Sequence, residues 1–198
     1  LNYNPGANED DNSCVYEWPE LSNIFFSEYA EGSSNNKYLE IYNASNSIVD
    51  LSEYSLSRCV NGCDDGLNWD YPDDLTFTVG TILEPGAVYI IAHPSADDII
   101  LNNADMTFSY LSNGDDVCAL TQIGSGIVLD IIGLVGEDPG SGWDVAGVSN
   151  GTKDHTLVRK CSVESGNNDW INSSGMNQDD SEWIVFDQNN WTYLGYHC

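Results

Sequence analysis

The residues that could do chemistry in this 198-residue chain are mostly acids, with few partners for them. Three histidines, His93, His155 and His197, are the available imidazole bases. His155 follows Asp154, an order in which a carboxylate could orient a general base, but the run HTLVRK that starts there has the pattern of a strand. His93 precedes Pro94 at the end of an apolar run and reads as a strand-end cap, and His197 adjoins Cys198. No spacing among these histidines and the cysteines matches a closed zinc site. Acid doublets occur at Asp10-Asp11, Asp64-Asp65, Asp73-Asp74, Asp97-Asp98, Asp115-Asp116 and Asp179-Asp180. A glycosidase needs two carboxyls placed across a cleft, and abundance alone selects no pair. Most doublets stand beside turn residues, where Asp bonds the local backbone. Asp64, Asp65, Asp115 and Asp116 are the calcium candidates, because hard cations take oxygen ligands, although none lies in an EF-hand loop. Trp69, Trp143 and Trp170 fall in loop segments; they either face a ligand, as rings that stack on sugars do, or plug the ends of the fold. No catalytic set is expected.

The charge balance narrows the partners. Thirty-two acids against 5 bases give a formal net charge of -27, which repels phosphates and anionic lipid and offers no basic stripe. Nucleic acid is not an expected partner. The acids read either as a solubilising surface whose self-repulsion salt screens or, in part, as calcium ligands. The basic residues Lys37, Arg58, Lys153, Arg159 and Lys160 read as structural partners of nearby acids. No apolar run is long enough to span a membrane and no signal segment is present, so the chain reads as a mature or excised piece of something longer. The sequons at Asn43, Asn150, Asn172 and Asn190 would matter only in a glycosylating host.

Six cysteines, an even number without zinc-ribbon spacing, point to disulfides and an oxidising, extracellular setting. Sequence alone does not fix the pairing. The close spacing of Cys59 and Cys63 suggests a local bridge, Cys14 with Cys198 would tie the ends, and Cys118 and Cys161 remain.

The elements that must position these residues are strands. Residues 1–21 lack an apolar period and read as an extended segment or the end of a preceding repeat. From there to residue 198 runs a β-sandwich domain: IFFSEY at 24, YLEIYN at 38, YSLSRCV at 54, LTFTV at 75, VYIIAH at 88, VCALTQI at 117, IVLDIIGLV at 127, HTLVRK at 155 and EWIVF at 182. In YLEIYN, Leu39 and Ile41 alternate with Tyr38, Glu40 and Tyr42, the period of a strand with one wet face. EPG at 84–86 reads as a tight turn, and Asn113-Gly114 suits a two-residue hairpin. The long loops 60–74, 136–152 and 164–181 are where a binding site is expected.

Three strings, FFSEYAEGSSNNKYLEIYNAS at 25–45, GWDVAGVSNGTKDHTLVRK at 142–160 and SEWIVFDQNNWTYLGYH at 181–197, together resemble the lamin tail domain family in its bacterial, secreted branch. The resemblance implies an all-β, immunoglobulin-like sandwich, here disulfide-reinforced, with TLVRK entering as a late strand and Trp183 as a core anchor. NYNPGANEDDNSCVY resembles the second half of an Asp- and Cys-containing repeat of marine bacterial surface proteins. The family carries no catalytic set of its own. The expected function is a non-catalytic extracellular structural or interaction module; the alternative is a calcium- or carbohydrate-binding accessory module of a secreted hydrolase such as a nuclease or phosphatase. Expected partners are other surface or secreted domains, carbohydrate or a second copy. No cofactor is required, and calcium is the one ion the acids suggest.

Overall fold

The computed structural model describes residues 23–63, 66–136 and 138–198. Twelve strands follow one another among them: β1 Ile24–Glu31, β2 Lys37–Asn43, β3 Val49–Asp50, β4 Tyr54–Cys59, β5 Tyr71–Thr76, β6 Ile82–Leu83, β7 Val88–Ala92, β8 Met106–Thr107, β9 Val117–Gln122, β10 Val128–Ile132, β11 His155–Arg159 and β12 Trp183–Asp187. Two short helices, α1 Asp98–Leu101 and α2 Trp170–Ser174, sit in the connections. One sheet has the order β12-β11-β1-β2-β7-β8, a second β10-β9-β4-β5, and β3-β6 form a small ribbon. The chain changes sheet after β2, β5, β8 and β10, so the two sheets are built from interleaved segments and enclose one core, as in an immunoglobulin-like sandwich. Phe26, Leu39, Ile41, Ile91 and Leu157 from the first sheet meet Leu56, Leu120 and Ile131 from the second. Trp183 is fully buried among them.

The expected wet face of β2 is dry. Tyr38 and Glu40 are buried as completely as Leu39 and Ile41, because α1 and the C-terminal segment cover that side. Ile100, Leu101, Ala104, Trp191 and Leu194 form a second apolar cluster there with Ala30, Tyr38, Ile90 and Ala92. A disulfide fastens this cover: Cys198 pairs with Cys161, their Cα atoms 5.7 Å apart. The expected joining of Cys198 to Cys14 is therefore corrected, as is the pairing left for Cys118 and Cys161; Cys14 and the 1–21 segment lie outside the described residues. Cys59 and Cys63 are bridged.

Cys118 has no disulfide partner among the described residues and is buried in the core. Burial pushes it up to about 12, which suppresses the reactive thiolate. Peptide mapping after alkylation should find Cys118 unmodified in the native protein and fully modified in denaturant; native labelling would contradict the packing.

Two other local expectations change. The strand expected at LTFTV starts earlier, at Tyr71, and Leu75 is its buried residue. Residues 112–116 do not close a hairpin, since β8 pairs with β7 whereas β9 pairs with β4 and β10. Gly114, at φ 102°, takes the left-handed conformation alone. The Ser112 hydroxyl accepts the Gly114 and Asp116 amides, and the Asp116 carboxylate accepts that of Asn113. This is a local cap for a segment crossing between sheets. The outer edges of the second sheet are also blunted. Pro72 and the positive φ of Asp73 interrupt β5, and on the β10 edge the Asn167 carbonyl accepts the Ile131 amide. Neither edge is a free template for strand addition.

Candidate functional site

Two polar constellations stand out, one inside the sandwich and one at a loop end. The inner one is centred on Arg159, at the end of β11, whose side chain has no exposed surface. Its Nη2 pairs with the equally buried Asp130 of β10, and its Nη1 donates to Glu182 at 2.6 Å and to the Ser173 hydroxyl at 2.8 Å. Nε donates to the Phe26 carbonyl, and the guanidinium carbon lies 4.0 Å from the Trp183 ring centre. Asp130 also accepts the amides of Phe26 at 2.8 Å and Asn167 at 2.9 Å. A bulge in β1 between Phe26 and Glu28 accompanies this junction. Burial pushes the Asp130 carboxyl upward, while Arg159 and the two amides pull it back. Every polar arm is spent on another part of the chain and none faces an opening. The arrangement locks β1, β10, β11 and α2 together.

The loop end gathers residues from two of the three loops in which a site was sought. Gly66 and Gly136 touch: a Cβ on Gly136 would lie 2.8 Å from the Gly66 carbonyl oxygen, so glycine is what allows these loops to meet. Between them opens a cleft of about 540 Å³ lined by Val60, Asn61, Cys63, Asp70, Tyr71 and Asp138. Asp70 accepts the Val60 amide at 3.0 Å, and Asp116 reaches in from the 112–116 segment to accept the Asn61 amide at 3.1 Å. Beside the cleft, Arg58 pairs with Asp74 at 2.6 Å, its guanidinium 5.1–5.5 Å from the ring centres of Tyr71, Phe108 and Tyr110. Cation–π attraction of this kind holds rings at a fixed spacing. Tyr71 is 46% exposed and Tyr110 65%.

The residues singled out by sequence have mixed placements. Asp116 is buried and both of its oxygens serve backbone amides, which makes it a latch. Asp115 is half-buried, its carboxyl raised by burial and by neighbouring Asp116. Asp64 and Asp65 lie outside the described residues. Among the described residues no group of three or more His, Cys, Asp or Glu side chains is placed to hold a metal. Trp170 is corrected: α2 turns its ring into the core at 3% exposure, 6.5 Å from Trp183. Trp69 and Trp143 are half-buried and pack on the core, so the aromatic surface at this end belongs to Tyr71 and Tyr110, which sequence reading passed over. The signal was Arg58, one of only 5 basic residues in a strongly acidic chain.

The histidines do not form a site. His93 accepts the Ser95 amide at its strand end, His155 contacts the Lys153 carbonyl, and His197 packs against Phe25 and Tyr42. Asp154 is held instead by Gln188. Asn43, in the first sequon, is fully buried and donates to the Ser47 and Leu83 carbonyls, leaving no room for a glycan. Among the described residues no helix is long and apolar enough to cross a membrane.

Comparison with known proteins gives the frame for these observations. A solved structure of a DUF4876 family protein from Bacteroides thetaiotaomicron is similar at 15% identity, covering 85% of this chain and 69% of that one with a TM-score of 0.48. No curated protein matches the chain. The family model of the Lamin Tail Domain matches residues 19–135, a span that runs through both sheets from β1 to β10 and takes in Arg58, Tyr71 and Tyr110. With more than half of its length matched, the chain belongs to the lamin tail domain family.

Proposed function

We propose that this chain is a non-catalytic extracellular interaction module that meets its partner with the loop end carrying Tyr71, Tyr110 and the acidic cleft. The observation that carries the reading is the pair of exposed tyrosine rings fixed by Arg58 beside a concave, negatively charged surface. Rigid aromatic rings supply contact area at low entropic cost, and aromatic residues are enriched in interface centres. The surrounding acids favour a cationic protein surface, which they would steer into contact. Two disulfides support an oxidising compartment. Membership of the family supports a non-catalytic, immunoglobulin-like module.

The same tyrosine pair favours a second reading, carbohydrate binding, with or without calcium. A glycan array probed in calcium and in chelator separates the two. A flat array in both conditions is the expected result; glycan binding that the double variant Y71A/Y110A loses would replace the protein-partner reading with the carbohydrate one. A rise in thermal midpoint across a calcium titration would add the ion to either. Turnover of phosphodiester, phosphomonoester or glycoside substrates is expected to be absent, and a turnover abolished by Asp138→Asn would overturn the non-catalytic reading.

A further inference from the structure

We propose that the folded chain joins Lys37 to Asn113 by an intramolecular isopeptide bond, with Glu31 carrying the proton. Lys37 opens β2 directly across from Glu31 on β1, and it is 6% exposed. Its Nζ lies 2.5 Å from the Asn113 side-chain oxygen, 2.9 Å from the Ser112 carbonyl and 3.4 Å from Glu31 Oε1. A carbonyl bond of about 1.23 Å puts the Asn113 amide carbon no more than about 3.7 Å from the amine. That is at the margin of the roughly 3–3.5 Å of a near-attack arrangement.

All three groups are held from outside. Asn113 hangs between Ser112 and Gly114, whose carbonyl accepts the Thr152 hydroxyl at 2.6 Å, and its amide is bound by Asp116. The second oxygen of Glu31 accepts the Asp154 amide. Lys37 thus has its positive charge met by one carboxylate and its approach to an amide carbon fixed before any reaction. Positioning of this kind is what turns an unreactive amine and amide into reactants.

The step balances without any added reagent. Glu31 takes one proton from the Lys37 ammonium, and the freed amine attacks the Asn113 amide carbon through Nζ to form the new C–N bond. The tetrahedral species collapses as Glu31 passes that proton to the side-chain nitrogen of Asn113, whose bond to carbon breaks; the second surplus proton of Nζ follows through the same carboxylate, and the ammonia departs as ammonium. Asn113 is exposed, so the ammonia leaves directly to solvent. The product ties β2, in the first sheet, to the segment that feeds β9, in the second.

Mass spectrometry of the purified, denatured chain tests this. The expected mass, after allowing for disulfides, is below that of the sequence by one ammonia, and fragmentation should yield a branched peptide joining Lys37 and Asn113. Asn113-Gly114 offers one rival source of the same mass loss, cyclisation onto the Gly114 nitrogen. Lys37→Arg distinguishes them: the loss should vanish in this variant, and a loss that persists overturns the proposal. Glu31→Gln, checked for folding by circular dichroism, should leave Lys37 free to acetylate after denaturation. Full linkage in that variant would remove Glu31 from the reaction. A wild-type chain of unreduced mass with an acetylatable Lys37 would overturn the bond itself.

Discussion

Replacing Arg159 by leucine is expected to destabilise the domain by about 3–5 kcal/mol, read as a fall in the urea midpoint at unchanged slope. The size follows from what is left behind. Asp130, with no exposed side-chain surface, would keep the amides of Phe26 and Asn167 but lose the Arg159 cation that pairs with it. An uncompensated buried charge is costly, and marginal domains have only about 5–15 kcal/mol to lose. The Phe26 carbonyl loses the Arg159 Nε donor as well, and the Ser173 hydroxyl loses one of two donors, keeping Trp183 Nε1. The double variant Asp130→Asn with Arg159→Leu should recover much of the loss, since the charge is then gone, and the difference between single and double variants measures the coupling. A loss below about 1 kcal/mol for Arg159→Leu would mean that water reaches Asp130 and that the clamp is not what holds α2 and β10 to β11.

The strands were legible because their signal is local. Leu39 and Ile41 in YLEIYN, or Leu56 in YSLSRCV, declare a strand by alternation within a few residues, and Trp183 declared a core position by size and pattern. What the alternation did not reveal is whether the second face is covered. Glu40 and Tyr38 read as wet because their cover, α1 and the segment around Trp191 and Leu194, comes from 61 to 155 residues away in sequence and is tied down by a disulfide whose partner, Cys161, carries no local mark. The same holds for Arg159: Asp130 and Glu182 sit 29 and 23 residues from it, and TLVRK gives no hint that its arginine points inward. Trp170 was misplaced for the opposite reason. The loop around it has the composition of a turn, yet Asp169 accepts the Asn172 amide and starts a single helical turn that rotates the ring into the core. At the loop end, Tyr71 and Tyr110 become a pair only when Arg58 lies between them, a relation that no local pattern carries.

The covered face of the first sheet has its own expected result: Glu28→Gln should leave stability nearly unchanged at about pH 5 and raise it at about pH 9 by an amount on the order of 4 kcal/mol. Glu28 and Glu40 face each other across β1 and β2, both fully buried under the C-terminal segment. Glu40 is engaged, accepting the Ser27 hydroxyl at 2.7 Å and the Gly195 amide at 2.8 Å. The Glu28 oxygens and the Tyr38 hydroxyl have no hydrogen-bond partner among the described residues. Burial, opposed by the nearby Tyr38 hydroxyl and aided slightly by the charge of Glu40, holds the Glu28 carboxyl up at about 8 against an ordinary 4.5. The folded state therefore binds a proton that the unfolded chain has released between those values, so stability from this group is full below about pH 4.5 and falls as pH rises towards 8. Glu40, also raised by burial, acts in the same direction. His197, on the same cover, is lowered by burial and acts oppositely, gaining stability as pH rises through its ordinary 6.5. The comparison of wild type with Glu28→Gln cancels His197 and reports Glu28 together with its coupling to Glu40. Parallel pH profiles for the two proteins would show that Glu28 is solvated in the folded chain and that the C-terminal segment does not seal this face.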